Sequence, residues 1–245
     1  MYESFAEYYD KLTADVDYPA RTGYLLGLFE RFDRKPTLLL DLACGTGGFS
    51  YLFGAAGMSV IGVDISPEML SHARENAAAA GQDILFLCQD AAELDLYGTV
   101  DGAICCLDSL NHITDYDRFC HAIEKVSLFL EPNRLFIFDV NTVYKHETVL
   151  GDNVFVTDED GVYCVWQNEY DRDTRMTYMS LDFFSGDGVN YTRESQFVEE
   201  RAYTDDEIRA ALEGAGLDVE AVFGDMTLET PKPDTERIVY VARKR

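Results

Sequence analysis

The chain has 245 residues, 47% of them hydrophobic, with 45 acidic against 20 basic side chains and a formal net charge of −25. That much apolar material supports a sizeable core and excludes wholesale disorder. A surface so acidic repels phosphate backbones and anionic lipid, so nucleic acid and membranes are excluded as partners.

The opening residues, MYESFAEYYDKL, lack a basic segment followed by an apolar core, so no secretory signal is expected. No apolar run has the length of a membrane span. Six cysteines, at 44, 88, 105, 106, 120 and 164, fall mostly inside apolar patterns without CxxC spacing. They are expected to be reduced, buried thiols of a cytoplasmic protein rather than zinc ligands or a disulfide framework.

In chain order, residues 20–32 place apolar side chains at helical spacing, and TLLLDLA (37–43) reads as a buried strand ahead of a glycine-rich turn. A helix is predicted to about Ala56, stopped by Gly57, followed by the strand SVIGVDI (59–65). Ser66 as N-cap and Pro67 at the first helical position open a helix that Gly81 ends. Strands at 84–90 and 100–107, an amphipathic helix at 116–130 stopped before Pro132, and a fifth strand at 134–140 continue the alternation. That rhythm predicts an open α/β fold, a mostly parallel Rossmann-like sheet with helices on both faces. From about Val154 to Glu200 the helical period gives way to alternating aromatic and polar residues punctuated by DEDG, DRDT and SGDG, the pattern of antiparallel hairpins. A capped helix (TDDEIRAALEGAGL) and two strands, DVEAVFGD and ERIVYVARK, close the chain. The expected organisation is a core of residues 1–145 and 201–245, with 1–35 as a lid segment, and a β insertion over 146–200.

The turn Ala43-Cys44-Gly45-Thr46-Gly47-Gly48 follows a strand containing Asp41. A dinucleotide fingerprint would need a third glycine where Ser50 stands. It would also tolerate poorly an acid four residues before the first glycine. That carboxylate opposes a pyrophosphate and suits a ligand carrying positive charge. Asp64, at the tip of the second strand, can accept from both hydroxyls of a ribose, and Asp90, at the tip of the third, from an adenine amino group. Each acid alone is more simply a cap or a solvated turn residue; three at successive strand ends around a glycine turn form a site.

DLACGTG, with VDISPEML, QDAAEL and CCLDSLNH, resembles the class I S-adenosylmethionine-dependent methyltransferases over residues 1–140 and again after about 203. The resemblance implies a seven-stranded sheet and S-adenosylmethionine as cofactor. It implies Asp41, Ala43, Gly45 and Gly47 near the methionine portion, Asp64 on the ribose, and Ile65 and Met69 near the adenine. Asp90 and Ala91 would hold the adenine edge, and Leu107 would line the sulfonium side. The N-terminal segment is similar to the lid of small-molecule members, such as amino-sugar N-methyltransferases. Tyr9 matches a tyrosine lying over the transferable methyl there, and Tyr18 would line the cofactor pocket. Packing of first-helix aromatics on the core is the competing reading for Tyr9 and the preferred one for Phe5 and Tyr8.

His112, after the fourth strand, is a candidate proton acceptor, its alternative being a histidine bonded to backbone at a helix start. Asp108, Asn111, Asp139 and Asn141 are weaker candidates. The expected chemistry is direct displacement onto a small-molecule nitrogen or oxygen, with no metal. The insertion would form the acceptor wall or a homodimer surface. The rival readings are a non-catalytic sensor of the same cofactor and a nicotinamide-dependent dehydrogenase.

Overall fold

The computed structural model describes residues 9, 13, 15–159, 161–186 and 189–245. Of the expected lid, Phe5 and Tyr8 lie outside the described residues. Seven strands form one sheet in the order β10-β11-β5-β4-β1-β2-β3, with β1 (Leu38–Leu42) third from the β3 edge. β2 (Ser59–Asp64), β3 (Leu85–Cys88), β4 (Gly102–Cys105) and β5 (Leu135–Asn141) run parallel to it. β11 (Arg237–Lys244) is antiparallel to both β5 and β10 (Leu217–Gly224). The strand order reverses at β1, flanked by β2 and β4, and the crevice outside the carboxyl ends opens at that point.

The strands are apolar on both sides because both faces are covered. Leu40, Leu42, Phe136 and Phe138 point to one face, under α4 (Tyr116–Phe129) and α5 (Asp205–Gly214). Leu39, Leu135 and Ile137 point to the other, under α1 (Tyr18–Phe32) and α2 (Gly48–Ala55). α3 (Pro67–Ala79) buries Leu70, Ala73 and Ala77 against Phe86 of β3. Each helix starts where its sequence says it should: Ser66 caps α3 by accepting from the Met69 amide, and Thr204 and Glu207 form a reciprocal capping box on α5.

A second, four-stranded antiparallel sheet, β6 (Val154–Glu159), β7 (Val162–Asp171), β8 (Met176–Gly186) and β9 (Tyr191–Arg201), is inserted between β5 and α5. Its inner face buries Cys164, Met179, Leu181, Phe183 and Val198, while Tyr163 and Tyr191 stand on the outer face. Asn111 stitches the sheets together. Its Nδ2 donates to the Arg201 carbonyl at 2.8 Å, and its Oδ1 accepts from the Asn141 amide at 3.0 Å. Arg175 and Arg201 both reach Glu207 of α5. A π-helical turn, Lys145–Leu150, joins β5 to the insertion and buries His146.

All six cysteines are free; Cys105, Cys106 and Cys164 are buried, whereas Cys88 is exposed. Among the described residues no helix is long and apolar enough to cross a membrane.

Candidate active site

The glycine turn holds a run of left-handed backbone: Ala43, Gly45 and Gly47 have φ of 55°, 54° and 78°. For Ala43 that conformation is strained, a condition that persists only where the surroundings enforce it. The enforcement comes from Asp64. Its Oδ2 accepts from the Gly45 amide and its Oδ1 from the Ser66 amide, both at 2.9 Å, fastening the turn to the end of β2. Burial raises the pKa of Asp64, and these backbone bonds oppose the rise. A carboxylate offers about four acceptor sites, and the Gly45, Ser66 and Ile65 amides leave Asp64 with acceptor capacity for a ligand. Gly47 meets a second demand, since a Cβ there would lie 3.2 Å from Ala73 Cβ and 3.3 Å from Phe86 Cζ.

A cavity of about 450 Å³ opens at the carboxyl ends of β1 to β4, within the range of small-molecule sites. Asp64, Ile65, Met69, Asp90 and Ala91 line one end, and Ala43 and Gly45 the middle. Leu107, His112 and Tyr9 line the other end, joined by Val198 from β9. These residues were all expected at the site, except Val198.

Tyr18, Asp41 and Gly47 do not line the cavity. Along β1, Asp41 shares the parity of Leu39 and so faces α2, where Ser50 Oγ donates to it at 2.5 Å. It is 1% exposed, and burial pushes its pKa up to about 7. Gly47 is turned towards α3. Tyr18 rests on Phe49, ring centroids 5.0 Å apart, and is hydrogen-bonded to Tyr9, so it reaches the cavity only through that residue. Burial, with the charges of Asp108 and Asp64 nearby, holds Tyr9 as a neutral phenol.

Arg118, from the first turn of α4, lines the same end of the cavity as Asp90 and pairs with it, and the other Asp90 oxygen accepts from the Ala92 amide at 2.9 Å. Sequence reading missed it because an arginine in a helix's first turn carries no ligand signature.

Beneath the far end lies a buried polar cluster. Leu107 and Asp108 are consecutive left-handed residues, with φ of 56° and 52°. Asp139 enforces that turn: its two oxygens accept from the Leu107 and Asp108 amides at 2.9 and 2.7 Å. Arg237 from β11 bridges Asp139 and Asp108. Burial disfavours the charge on Asp108, but the Arg237 guanidinium outweighs it and holds the carboxyl well below the usual range. Asn141 Nδ2 donates to Asp108 at 2.6 Å and to Glu200 at 3.4 Å. Glu200, on β9, is 4% exposed, and burial, then the Asp108 charge, raises its pKa to about 7. Its Oε1 lies 3.6 Å from His112 Nε2, and its Oε2 lies 3.6 Å from Nε2 of the buried His146. Burial lowers His146 to about 4, so that ring is neutral. Glu200, His146 and Arg237 were not singled out in the sequence, and Asp139 and Asn141 support the turn rather than face the cavity.

A methyltransferase domain family matches residues 39–133. Over 245 residues the chain is 30% identical to Bacillus subtilis (strain 168) YqeM, whose name places it among the methyltransferases, covering 100% of this chain and 97% of that one. It is 34% identical to an S-adenosylmethionine-dependent methyltransferase from Clostridium acetobutylicum of known structure, with a TM-score of 0.88 and coverage of 99% and 98%. An amino pentose methyltransferase from Micromonospora echinaspora, solved with S-adenosylmethionine bound, shares the fold at a TM-score of 0.76 and 22% identity, over 94% and 92% of the two chains. These likenesses set aside the nicotinamide reading of the turn, in agreement with the missing third glycine. The chain belongs to the S-adenosylmethionine-dependent methyltransferases of class I fold, and S-adenosylmethionine is its cofactor.

Proposed function

We propose that the enzyme methylates a nitrogen or oxygen of a small-molecule acceptor entering beside Tyr9, His112 and Val198. The acceptor's lone pair forms the bond to the methyl carbon while the carbon–sulfur bond breaks. Sulfur keeps that electron pair and leaves as the neutral thioether, and the acceptor's proton passes to His112. Ala43 and Gly45 lie against the methionine portion, and Asp64 uses its remaining acceptor capacity on the ribose. Ile65 and Met69 flank the adenine, Asp90 and Ala91 hold its edge, and Leu107 lines the sulfonium side. Tyr9, held neutral, covers the methyl and orients the acceptor. Much of the acceleration in such a displacement comes from alignment, with effective molarities of about 10⁵ M or more for well-oriented pairs.

The observation that carries this reading is the closure of the cavity's far end by the insertion, through Val198, over a floor where acids outnumber bases among the described residues. A polymer backbone of phosphates meets more like charge than counter-charge there. In this reading residues 1–145 and 201–245 bind the cofactor and 146–200 wall the acceptor. The outer face of the insertion, where Val154, Val156 and Phe197 are each more than half exposed, pairs two copies of the chain in a homodimer, which sedimentation equilibrium would test. For the acceptor class, methyl-labelled S-adenosylmethionine is incubated with the enzyme and separate metabolite, RNA and protein fractions. Label is expected in the metabolite fraction; label in RNA or protein instead would overturn the proposal.

A further inference from the structure

The sequence offered no metal ligand set, yet the fold brings Asp108, His112 and Glu200 together so that one donor atom from each lies within 4.8 Å of the other two. The turn after β4 supplies the first two, and β9 of the insertion supplies the third.

Three features point to a ligand that completes this group. Among the described residues, the one hydrogen bond to the buried Glu200 carboxylate is the long 3.4 Å contact from Asn141, which leaves most of its acceptor sites unmet. The 3.6 Å from Glu200 to His112 Nε2 is too long for a hydrogen bond. It is close to the spacing of neighbouring donors around an ion with bonds of about 2.1 Å. Behind Glu200, His146 is 0% exposed, and its Nε2 has no hydrogen-bond partner. Thr177 Oγ1 lies 2.7 Å from Nδ1, so the orphaned Nε2 is the nitrogen directed at Glu200 Oε2, 3.6 Å away. A buried imidazole behind one oxygen of a carboxylate is placed to orient that carboxylate towards something bound at the other oxygen.

The charges agree. Asp108 and Asp139 are met by Arg237, and Lys145 Nζ donates to Asn141 Oδ1 at 3.0 Å rather than to an acid, while among the described residues Glu200 is in ion-pair range of the two histidines only and of no arginine or lysine.

We propose that Asp108, His112 and Glu200 form a divalent metal site at the acceptor end of the cavity. One imidazole and two carboxylates suit an ion such as Mn²⁺ or Zn²⁺. Asn141 and Arg237 orient Asp108, and His146 and Asn141 orient Glu200. His112 lines the cavity, so the ion's open positions face the acceptor and favour one that presents oxygen donors. The site stands apart from the identity of the methylated atom; in the metal-loaded enzyme His112 Nε2 would be a ligand rather than a base, and the proton of an acceptor acidified by the ion would go to water.

The test is titration of the whole enzyme with Mn²⁺, followed by electron paramagnetic resonance and its echo modulation. The expected result is one saturable ion per chain with ¹⁴N coupling from a single imidazole. Glu200→Gln should weaken it by about tenfold or more, and His112→Gln should abolish the nitrogen coupling. Glu220→Gln, at an exposed ion pair with Arg243, should leave both unchanged. Weak, unsaturable binding without nitrogen coupling, or equal binding in every variant, would overturn the site. If Glu200→Gln does not fold, the more exposed His112→Gln decides the matter. S-adenosylhomocysteine binding, measured separately by calorimetry, isolates this outcome from the methyl-transfer reading: cofactor binding with no Mn²⁺ site removes the metal alone.

Discussion

Two carboxylates in this molecule do opposite work, and each can be tested alone. Asp64 holds the glycine turn through backbone amides and offers its remaining acceptor capacity outwards. Asp64→Ala should weaken S-adenosylhomocysteine binding by about 1.5–3 kcal/mol, the worth of hydrogen bonds to a charged group; unchanged affinity by calorimetry would refute the ribose assignment. Asp139 has no outward role. It satisfies two amides of a strained turn and pairs with Arg237. Asp139→Ala leaves that guanidinium buried beside Asp108 alone and should cost about 3–5 kcal/mol in urea unfolding. The distinction was not legible in the sequence, where both are acids at the ends of apolar strands. Parity does not separate them, since Asp41, Asp64 and Asp139 all share the parity of the face under α1 and α2; Asp64 is the last residue of β2 and reaches the crevice, whereas Asp41 and Asp139 lie inside β1 and β5. The contacts around Asp64, Ile65, Met69 and Asp90 were legible because they depend on single strand tips and the turns that follow them.

Among the elements, the parallel core followed from short-range signals: apolar runs of strand length, an N-cap serine before proline, and glycines that end helices. The insertion was visible as hairpins, but its contribution to the site was not. Glu200 and His112 are distant in sequence and meet where Asn111, with Arg201 and Tyr203, ties the end of β9 to the segment after β4. No local pattern encodes that meeting. The π-helical turn that buries His146 is equally silent. Asn111 is the element-level joint, 0% exposed and bonded to backbone on both β5 and β9. Asn111→Leu leaves the Asn141 amide and the Arg201 carbonyl without their partner and should destabilise by about 1–3 kcal/mol. If the joint aligns the acceptor wall, turnover should fall more than cofactor affinity does. Equal losses in both would make Asn111 a packing residue only.

For the whole molecule, the net charge of −25 makes pH a strong variable, and one group gives it a definite sign. Buried Asp41 has its pKa pushed up to about 7, above its unfolded value of about 3.9. Between those limits the native state holds a proton that the unfolded chain has released. The contribution to stability is therefore present at low pH and lost as pH rises towards 7. Asp41→Asn removes that dependence, so the stability of the variant relative to the parent should rise between pH 5 and pH 8. Repulsion among surface acids is common to both proteins and cancels in the comparison. A relative stability that falls over this range would mean that Asp41 is ionised and stabilised in the fold. The central claim, that the cleft at the carboxyl ends of β1 to β4 holds the cofactor with its sulfur towards Tyr9 and Leu107, is tested most directly by a crystal structure with S-adenosylhomocysteine. The expected density has the ribose hydroxyls on Asp64, the adenine between Ile65 and Ala91, and the sulfur facing His112 across an open space for the acceptor. Density in the separate cavity beside Lys145 and Lys232, or a cleft left unfilled at saturating ligand, would contradict the account.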